Sequence, residues 1–420
     1  MEKLLLIFKD RELRNKILFV LGVLVVFRIA ASLPIPGVDP ARLKALFEGS
    51  QFLGLLNLFS GGALDNLSII MLGVGPYITA SIIMQLMTMI FPRMKEMYQE
   101  EGEAGRKKFN QYSRMLTVPL ALIQGFSLLI LLSNQGIIAN AGFTGMLVNL
   151  AIITAGSVFL MWLGELISEY GIGNGISILI FAGIVAGVPI SIQQAFLSTS
   201  ASQLPLILGL IVAGIAIIAG VVIISEGERP IPVSYAKRVR GMRVYGGVST
   251  HLPLRVNQAG VIPIIFALSI LLFPQMIVNF MAQSDNEILR SISTAILSFL
   301  SSTVFYGAAY FILVFLFTYF YTSVTFDPEQ ISSNLQKQGA FVPGIRPGRP
   351  TAEHLSKIVT RITLVGALFL GVIAVLPIIM QAVTGFTALA IGGTSLLIVV
   401  SVVLETVKQI EAQLVMREYE

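Results

Sequence analysis

Few residues in this 420-residue chain have the types and spacing for bond-making chemistry. It contains no Cys, which excludes a disulfide framework and a thiolate metal site. Its two His, His251 and His354, lie far apart in polar stretches and read as loop residues, so no metal site is expected. No GxxxxGKS or GxxxxGKT phosphate loop occurs, and HExxH and GxSxG are also missing. The Gly-rich GIGNGI at Gly171–Ile176 is not a dinucleotide fingerprint. It reads as a tight turn, with Asn174 or Gly175 starting the next helix. Inside apolar stretches the charged candidates are Glu165, near a helix end, and Arg28. Ion-driven transporters place carboxylates near the membrane midplane, and the scarcity of such groups weighs against that class. Arg28 is assigned a bracing role, bonding carbonyls near an interface. The chain reads as neither an enzyme nor a cofactor protein.

The elements that position these residues are set by lipid. Hydrophobic residues make up 55% of the chain and charged ones only 12%, with mean hydropathy +0.84, whereas soluble domains carry about 25% charged residues. A helix needs about 20 apolar residues to cross the hydrocarbon core. Ten stretches qualify, near 17–33, 71–91, 115–133, 147–166, 176–195, 205–225, 258–280, 304–325, 362–380 and 387–404. Pro76, Pro119 and Pro263 fall inside spans, where neighbouring helices can satisfy freed backbone groups. The first span ends in Ala30-Ala31-Ser32 like a signal peptide, but Arg28 favours a retained helix.

Lys and Arg counts orient the spans. The N-terminal segment, the 92–114, 226–257 and 326–361 loops and the tail hold 24 of the 28 basic residues. The opposite side has only Arg42, Lys44 and Arg290. By the positive-inside rule both termini are cytoplasmic. One segment breaks the pattern. Phe52–Phe59 (FLGLLNLF), followed by Ser60-Gly61-Gly62, is too short to span. It is either a short helix tucked into a cavity on the external side or an amphipathic helix on the outer leaflet.

Several stretches then match one family in order: FRIAASLPIPG at Phe27–Gly37, SGGAL at Ser60–Leu64, and GVGPYITASIIMQL at Gly73–Leu86. They continue with FLMWLGE at Phe159–Glu165, GIGNGISILIFAGIVAG at Gly171–Gly187, YAKR at Tyr235–Arg238, STHLPLRVN at Ser249–Asn257 and AGVIP at Ala259–Pro263. GAFVPGIRPG at Gly339–Gly348 and GGTSLLIVV at Gly392–Val400 complete the set. Over nearly its whole length the chain resembles the SecY/Sec61-alpha family of protein-conducting channels. The resemblance implies an all-α polytopic membrane protein, with ten transmembrane helices in two inverted five-helix halves, 1–195 and 196–420, around a central pore.

It further implies a pore ring of aliphatic side chains at Val74, Ile78, Ile176, Ile180, Ile265 (less surely Ile262) and Ile398. Val74/Ile78 and Ile176/Ile180 are i,i+4 pairs and share a helix face. A re-entrant plug over about 52–64 would include Phe52, Leu55, Leu56, Phe59, Ser60, Gly61 and Gly62. A lateral gate, releasing signal sequences and membrane helices into lipid, would carry Thr79, Gln85, Gln124 and Asn257. Docking of the ribosome, through rRNA phosphates, and of the SecA motor would use Lys237, Arg238, Arg240, Arg243 and Arg346. Lys237–Val244 and Tyr245-Gly246-Gly247 are expected to form a hairpin turning near Gly246-Gly247. Other implied partners are the small membrane subunits SecE and SecG, nascent polypeptides and membrane lipids, and the implied location is the bacterial cytoplasmic membrane. The rival reading is a secondary transporter of a small solute, which predicts a polar midplane site.

Overall fold

The computed structural model describes residues 10–36, 60, 62–64, 66–134, 136–138, 142–198, 204–235, 238–240, 243–245, 249–281, 287–300, 302–384 and 392–418. Helix α1 (Arg11–Ser32) begins at Asp10, whose carboxylate accepts the Glu12 and Leu13 amides at 2.8 and 3.4 Å, satisfying two otherwise orphaned donors. There follow α2 (Gly75–Ile90), α3 (Pro92–Gln99), α4 (Gly102–Asn134), α5 (Gly142–Tyr170), α6 (Gly175–Ser198) and α7 (Leu204–Glu226). Strands β1 (Glu228–Tyr235), β2 (Arg238–Arg240), β3 (Arg243–Tyr245) and β4 (Ser249–Arg255) come next. The chain continues through α8 (Ile262–Met281), α9 (Glu287–Leu300), α10 (Thr303–Thr325), α11 (Pro328–Lys337), β5 (Ala340–Phe341), α12 (Arg349–Thr384) and α13 (Gly392–Glu418).

A helix overlaps each of the ten apolar stretches. Among the described residues, five helical segments are long and apolar enough to cross a membrane: Arg11–Ser32, Gly102–Ser133, Gly142–Tyr170, Thr303–Lys337 and Arg349–Met380. Their outer faces carry exposed aliphatics, such as Leu18, Val25 and Ile29 on α1, a surface that only an apolar solvent covers at low cost. Pro119 lies inside α4. Pro76 and Pro263 instead occupy first turns, where no intrahelical N–H is needed.

Three expectations are corrected. The chain is not all-α: β4, β1 and β5 form a three-stranded antiparallel sheet in that order, and β2 pairs with β3. Alternation of the buried Ile231 and Val233 with exposed neighbours is the period-two pattern that lets β1 bury one face. The small hairpin pairs Arg240 with Arg243, so its connection is Gly241-Met242 rather than Gly246-Gly247; two-residue hairpin connections suit antiparallel strands. The stretches 92–114 and 326–361 are also largely helical, through α3, α4, α11 and α12. Hydropathy detects the apolar part of a helix and misses its polar extension.

The chain divides into two compact units. The first comprises Met1–Leu208, Leu268–Tyr306 and Pro377–Glu420, the second Gly209–Ala267 and Gly307–Leu376. In the first, α4 packs on α2 and α5, and α6 packs on α5 and α13. Its main core joins Ile35, Leu64, Leu67 and Met71 to Leu128, Leu132 and Ile153. In the second, Ile231 and Leu254 of the sheet bury with Val342, Leu355 and Val359.

Close approach of α5 and α6 depends on Gly175. A Cβ there would overlap the carbonyl oxygen of Gly164, and small residues are what let membrane helices approach this closely. Gly175→Ala is therefore expected to destabilise the protein by about 1–3 kcal/mol through overpacking. Thermal unfolding in detergent checks it by a lowered Tm.

Candidate functional site

The site is built on backbone that is not helical. Between α1 and α2 the described chain runs through turns from Gly62 to Val74, and every buried N–H and C=O there needs a partner. The end of α1 supplies two. The Ile35 amide donates to the Leu67 carbonyl and the Ile69 amide to the Leu33 carbonyl, both at 2.9 Å. Pro34, which lacks a donor, sits opposite Ser68 in this short antiparallel bridge. The hydroxyl of Ser60 accepts the Leu64 amide at 3.1 Å. From α5, the hydroxyl of Ser157 donates to the Gly73 carbonyl at 2.9 Å. Beside it, a Cβ at Gly156 would strike the carbonyl of Ile69. Leu67 has φ +41° and is fully buried, a left-handed conformation that a bulky residue keeps only where its surroundings impose it.

This clamp delivers Val74 and Ile78. Val74 is the N-cap of α2, and the Ile78 amide donates to its carbonyl at 3.0 Å. Their exposures are 2% and 7%. On α6, Asn174 is the cap: its side-chain oxygen accepts the Ile176 and Ser177 amides at 3.1 and 3.2 Å. The hydroxyl of Ser168 accepts the Gly175 amide at 2.9 Å. Ile176 sits against Gly164 and is half-buried, while Ile180 is 2% exposed. Ile398 on α13 is likewise buried. Helix α13 packs along α6, with Thr406 and Gln409 beside Gly173. These five aliphatics thus belong to one unit, on the tightly packed elements α2, α6 and α13.

Of the residues expected in a plug, Ser60 and Gly62 are described, whereas Phe52, Leu55, Leu56, Phe59 and Gly61 lie outside the described residues. Gly62 has φ +79°, and a Cβ there would lie 4.0 Å from the carbonyl oxygen of Gly183. The base of this segment therefore rests against α6 less than one turn beyond Ile180.

Thr79 donates to the Gly75 carbonyl of its own helix at 3.0 Å. The side-chain oxygen of Gln85 is buried without a hydrogen bond, and Gln124 is buried at 9% exposure. In the second unit, Asn257 donates to the Gly260 carbonyl at 3.2 Å while its own oxygen is buried and unbonded. That turn precedes α8, on which Ile265 is buried and Ile262 half-buried. Arg346 is exposed on a turn fixed from three sides. Thr351 donates to its carbonyl at 2.8 Å, Ser332 donates to the Gly348 carbonyl at 2.7 Å, and Ile345 packs against the sheet core. Lys237 lies outside the described residues. The β2–β3 register sets Arg240 opposite Arg243 and Arg238 opposite Tyr245, so the three arginines occupy same-face positions of the hairpin.

Sequence reasoning missed the supports: Ser157, Ser168, Ser332 and Thr351. Their signal was weak, because small polar residues in spans usually bond their own helix, as Thr79 does. It also left Glu165 without a specific partner, and Arg114 of α4 bonds it at 2.5 Å.

A family model described as SecY matches residues 68–407. The protein translocase subunit SecY of Mycobacterium bovis is 45% identical over 97% of this chain and 96% of its own length. That of Pseudomonas aeruginosa is 44% identical over 97% and 92%. A solved structure described as a protein conducting channel is similar with TM-score 0.63 at 18% identity, covering 94% of this chain and 91% of that one. Sec61 in a canine ribosome-channel complex from the endoplasmic reticulum gives TM-score 0.59 at 18% identity over the same shares. At these identities the two structures carry the fold alone.

The buried aliphatics yield a prediction. Replacing Ile78 and Ile180 together with Ser is expected to raise resting ion conductance in planar bilayers several-fold, because hydroxyls let water enter an apolar constriction. Unchanged conductance would remove these residues from the expected pore ring.

Proposed function

This chain belongs to the SecY family, and from that membership we infer that it is a channel subunit that conducts unfolded secretory polypeptides across a membrane. The observation that carries the reading is the set Val74, Ile78, Ile180 and Ile398, buried on packed helices of one unit beside the Gly62 segment. A narrow aliphatic ring dewets at rest and so blocks ions, and its side chains offer a passing chain no hydrogen bonds that would arrest it. Ile176 and Ile265 complete the proposed ring. Opposite directions of α6 and α13, as for spans five and ten of the charge-derived topology, support a common depth. Ile398 lies eight residues before Thr406, or about 12 Å along its helix, which returns it towards the level of Ile180.

In this reading ten helices cross the bacterial cytoplasmic membrane, in inverted halves 1–195 and 196–420, with both termini in the cytoplasm. The segment from Phe52 to Leu64 is the plug, and its anchored base at Gly62–Leu64 is the pivot on which it leaves the pore. Thr79, Gln85, Gln124 and Asn257 form the lateral gate. The unbonded oxygens of Gln85 and Asn257 support that role, since a buried acceptor without a donor lowers the cost of separating the helices that bury it. SecE and SecG are the membrane partners. Without a nucleotide site of its own, the channel is driven by the ribosome or by SecA, docked on Lys237, Arg238, Arg240, Arg243 and Arg346.

The docking assignment is tested at Arg346. Because this side chain is exposed on an independently braced turn, Arg346→Glu is expected to leave the Tm unchanged. It should weaken SecA docking by about 2–5 kcal/mol, the usual effect of losing a paired interfacial charge, and stop most SecA-driven export into inverted vesicles. Full export by the variant would contradict the assignment.

A further inference from the structure

Helix α9 (Glu287–Leu300) joins two spans, yet it has the residue pattern of a helix with a surface function. Ser293 is fully buried, and its hydroxyl donates to the Leu289 carbonyl at 2.6 Å, so this side packs against protein. Ile288, Ile292 and Ile296 recur at four-residue spacing and are 68, 44 and 37% exposed, forming one stripe along the helix. Glu287, Arg290, Ser291 and Thr294 are exposed as well and occupy the opposite side. Ser291 and Thr294 donate to carbonyls of their own helix. The helix thus has three faces: one against protein, one aliphatic and exposed, one polar and exposed.

We propose that α9 is an interfacial anchor whose isoleucine stripe is seated among the acyl chains of the outer leaflet, with its polar face towards headgroups and water. Position along the chain fixes the occupant as lipid. Two residues separate Leu300 from Thr303, which opens α10, and five separate Met281, which closes α8, from Glu287, so both ends of α9 are tied to apolar helices. In the same unit Val304, at the start of α10, is an aliphatic left 83% exposed. A helix with one strongly apolar and one polar face, held at a membrane boundary, lies in the interface plane. Charge says how it is held. The two charged residues of α9, Glu287 and Arg290, balance, so seating depends on apolar burial and not on anionic lipid. Assignment to the outer leaflet, but not the lipid seating itself, rests on the orientation proposed above.

Absence of cysteine makes single-cysteine labelling clean. The full chain in its complex, carrying Ser291→Cys or Ile292→Cys, is labelled with a nitroxide and reconstituted in phosphatidylethanolamine–phosphatidylglycerol vesicles. Collision with oxygen, which concentrates in lipid, is compared with collision with a water-soluble nickel chelate. Oxygen should dominate at position 292 and nickel at position 291, with both ratios unchanged when phosphatidylcholine replaces phosphatidylglycerol. Nickel dominating at both positions would overturn the proposal, as would shielding of position 292 from both probes, which would indicate a protein cover. A ratio that collapses without phosphatidylglycerol would overturn the apolar mechanism. Reaction of Ser291→Cys with a membrane-impermeant maleimide from the same side as Arg346→Cys would overturn the leaflet assignment alone.

Discussion

The constraint on which the rest depends is that backbone without helical hydrogen bonds, at membrane depth, must find its partners in protein. Among the described residues between α1 and α2, the amides of Leu64, Leu67, Ser68, Ile69, Met71 and Gly73 meet that requirement. The Ile35–Leu67 and Ile69–Leu33 bonds turn the end of α1 into a splint, and Ser157 takes up the Gly73 carbonyl from α5. A dry core of Leu64, Leu67, Met71 and their neighbours covers the segment. Each bond is ordinary in water, but here the alternative is an unpaired polar group in an apolar medium, which costs several times more. The segment is therefore rigid where it meets α2. That rigidity lets a residue as plain as Val74 hold a defined position.

The same logic recurs at the start of α6. Asn174 and Ser168 satisfy the first amides of the helix, and Gly175 lets it approach α5 closely enough to seat Ile176 at Gly164. At the polar end of the second unit, Ser332 and Thr351 do for the Arg346 turn what Ser157 does for Gly73. The side chains proposed to function are held in place by small polar residues that bond the neighbouring backbone.

Some of this was legible in the sequence. Lipid sets a length and a composition that any apolar run must meet, so a helix falls on each of the ten stretches, and Asn174 was readable as a cap from its place before an apolar run. Polar extensions were not, because α4 and α12 continue into solvent on Glu, Lys and Gln, to which a hydropathy window is blind. The sheet was hidden by Pro230, Pro232 and Pro253, which ordinarily argue against strands. They are tolerated because β5 pairs with β1 only at Ser234 and Tyr235, leaving the proline positions of β1 with one neighbour. The proposed aliphatic ring was invisible to composition altogether. Isoleucine in a span is the commonest of residues, and only ordered motifs single out these positions. What the structure adds is their burial on tightly packed elements.

The central claim is that a translocating polypeptide passes between these aliphatics. Site-specific photocrosslinking from Ile180 to a secretory chain stalled in transit tests it most directly, with Ile29 on the exposed face of α1 as the control. The account predicts a crosslink from position 180 that requires active translocation, and none from position 29. No crosslink from position 180 under active translocation, or equal yields from both positions, would contradict it.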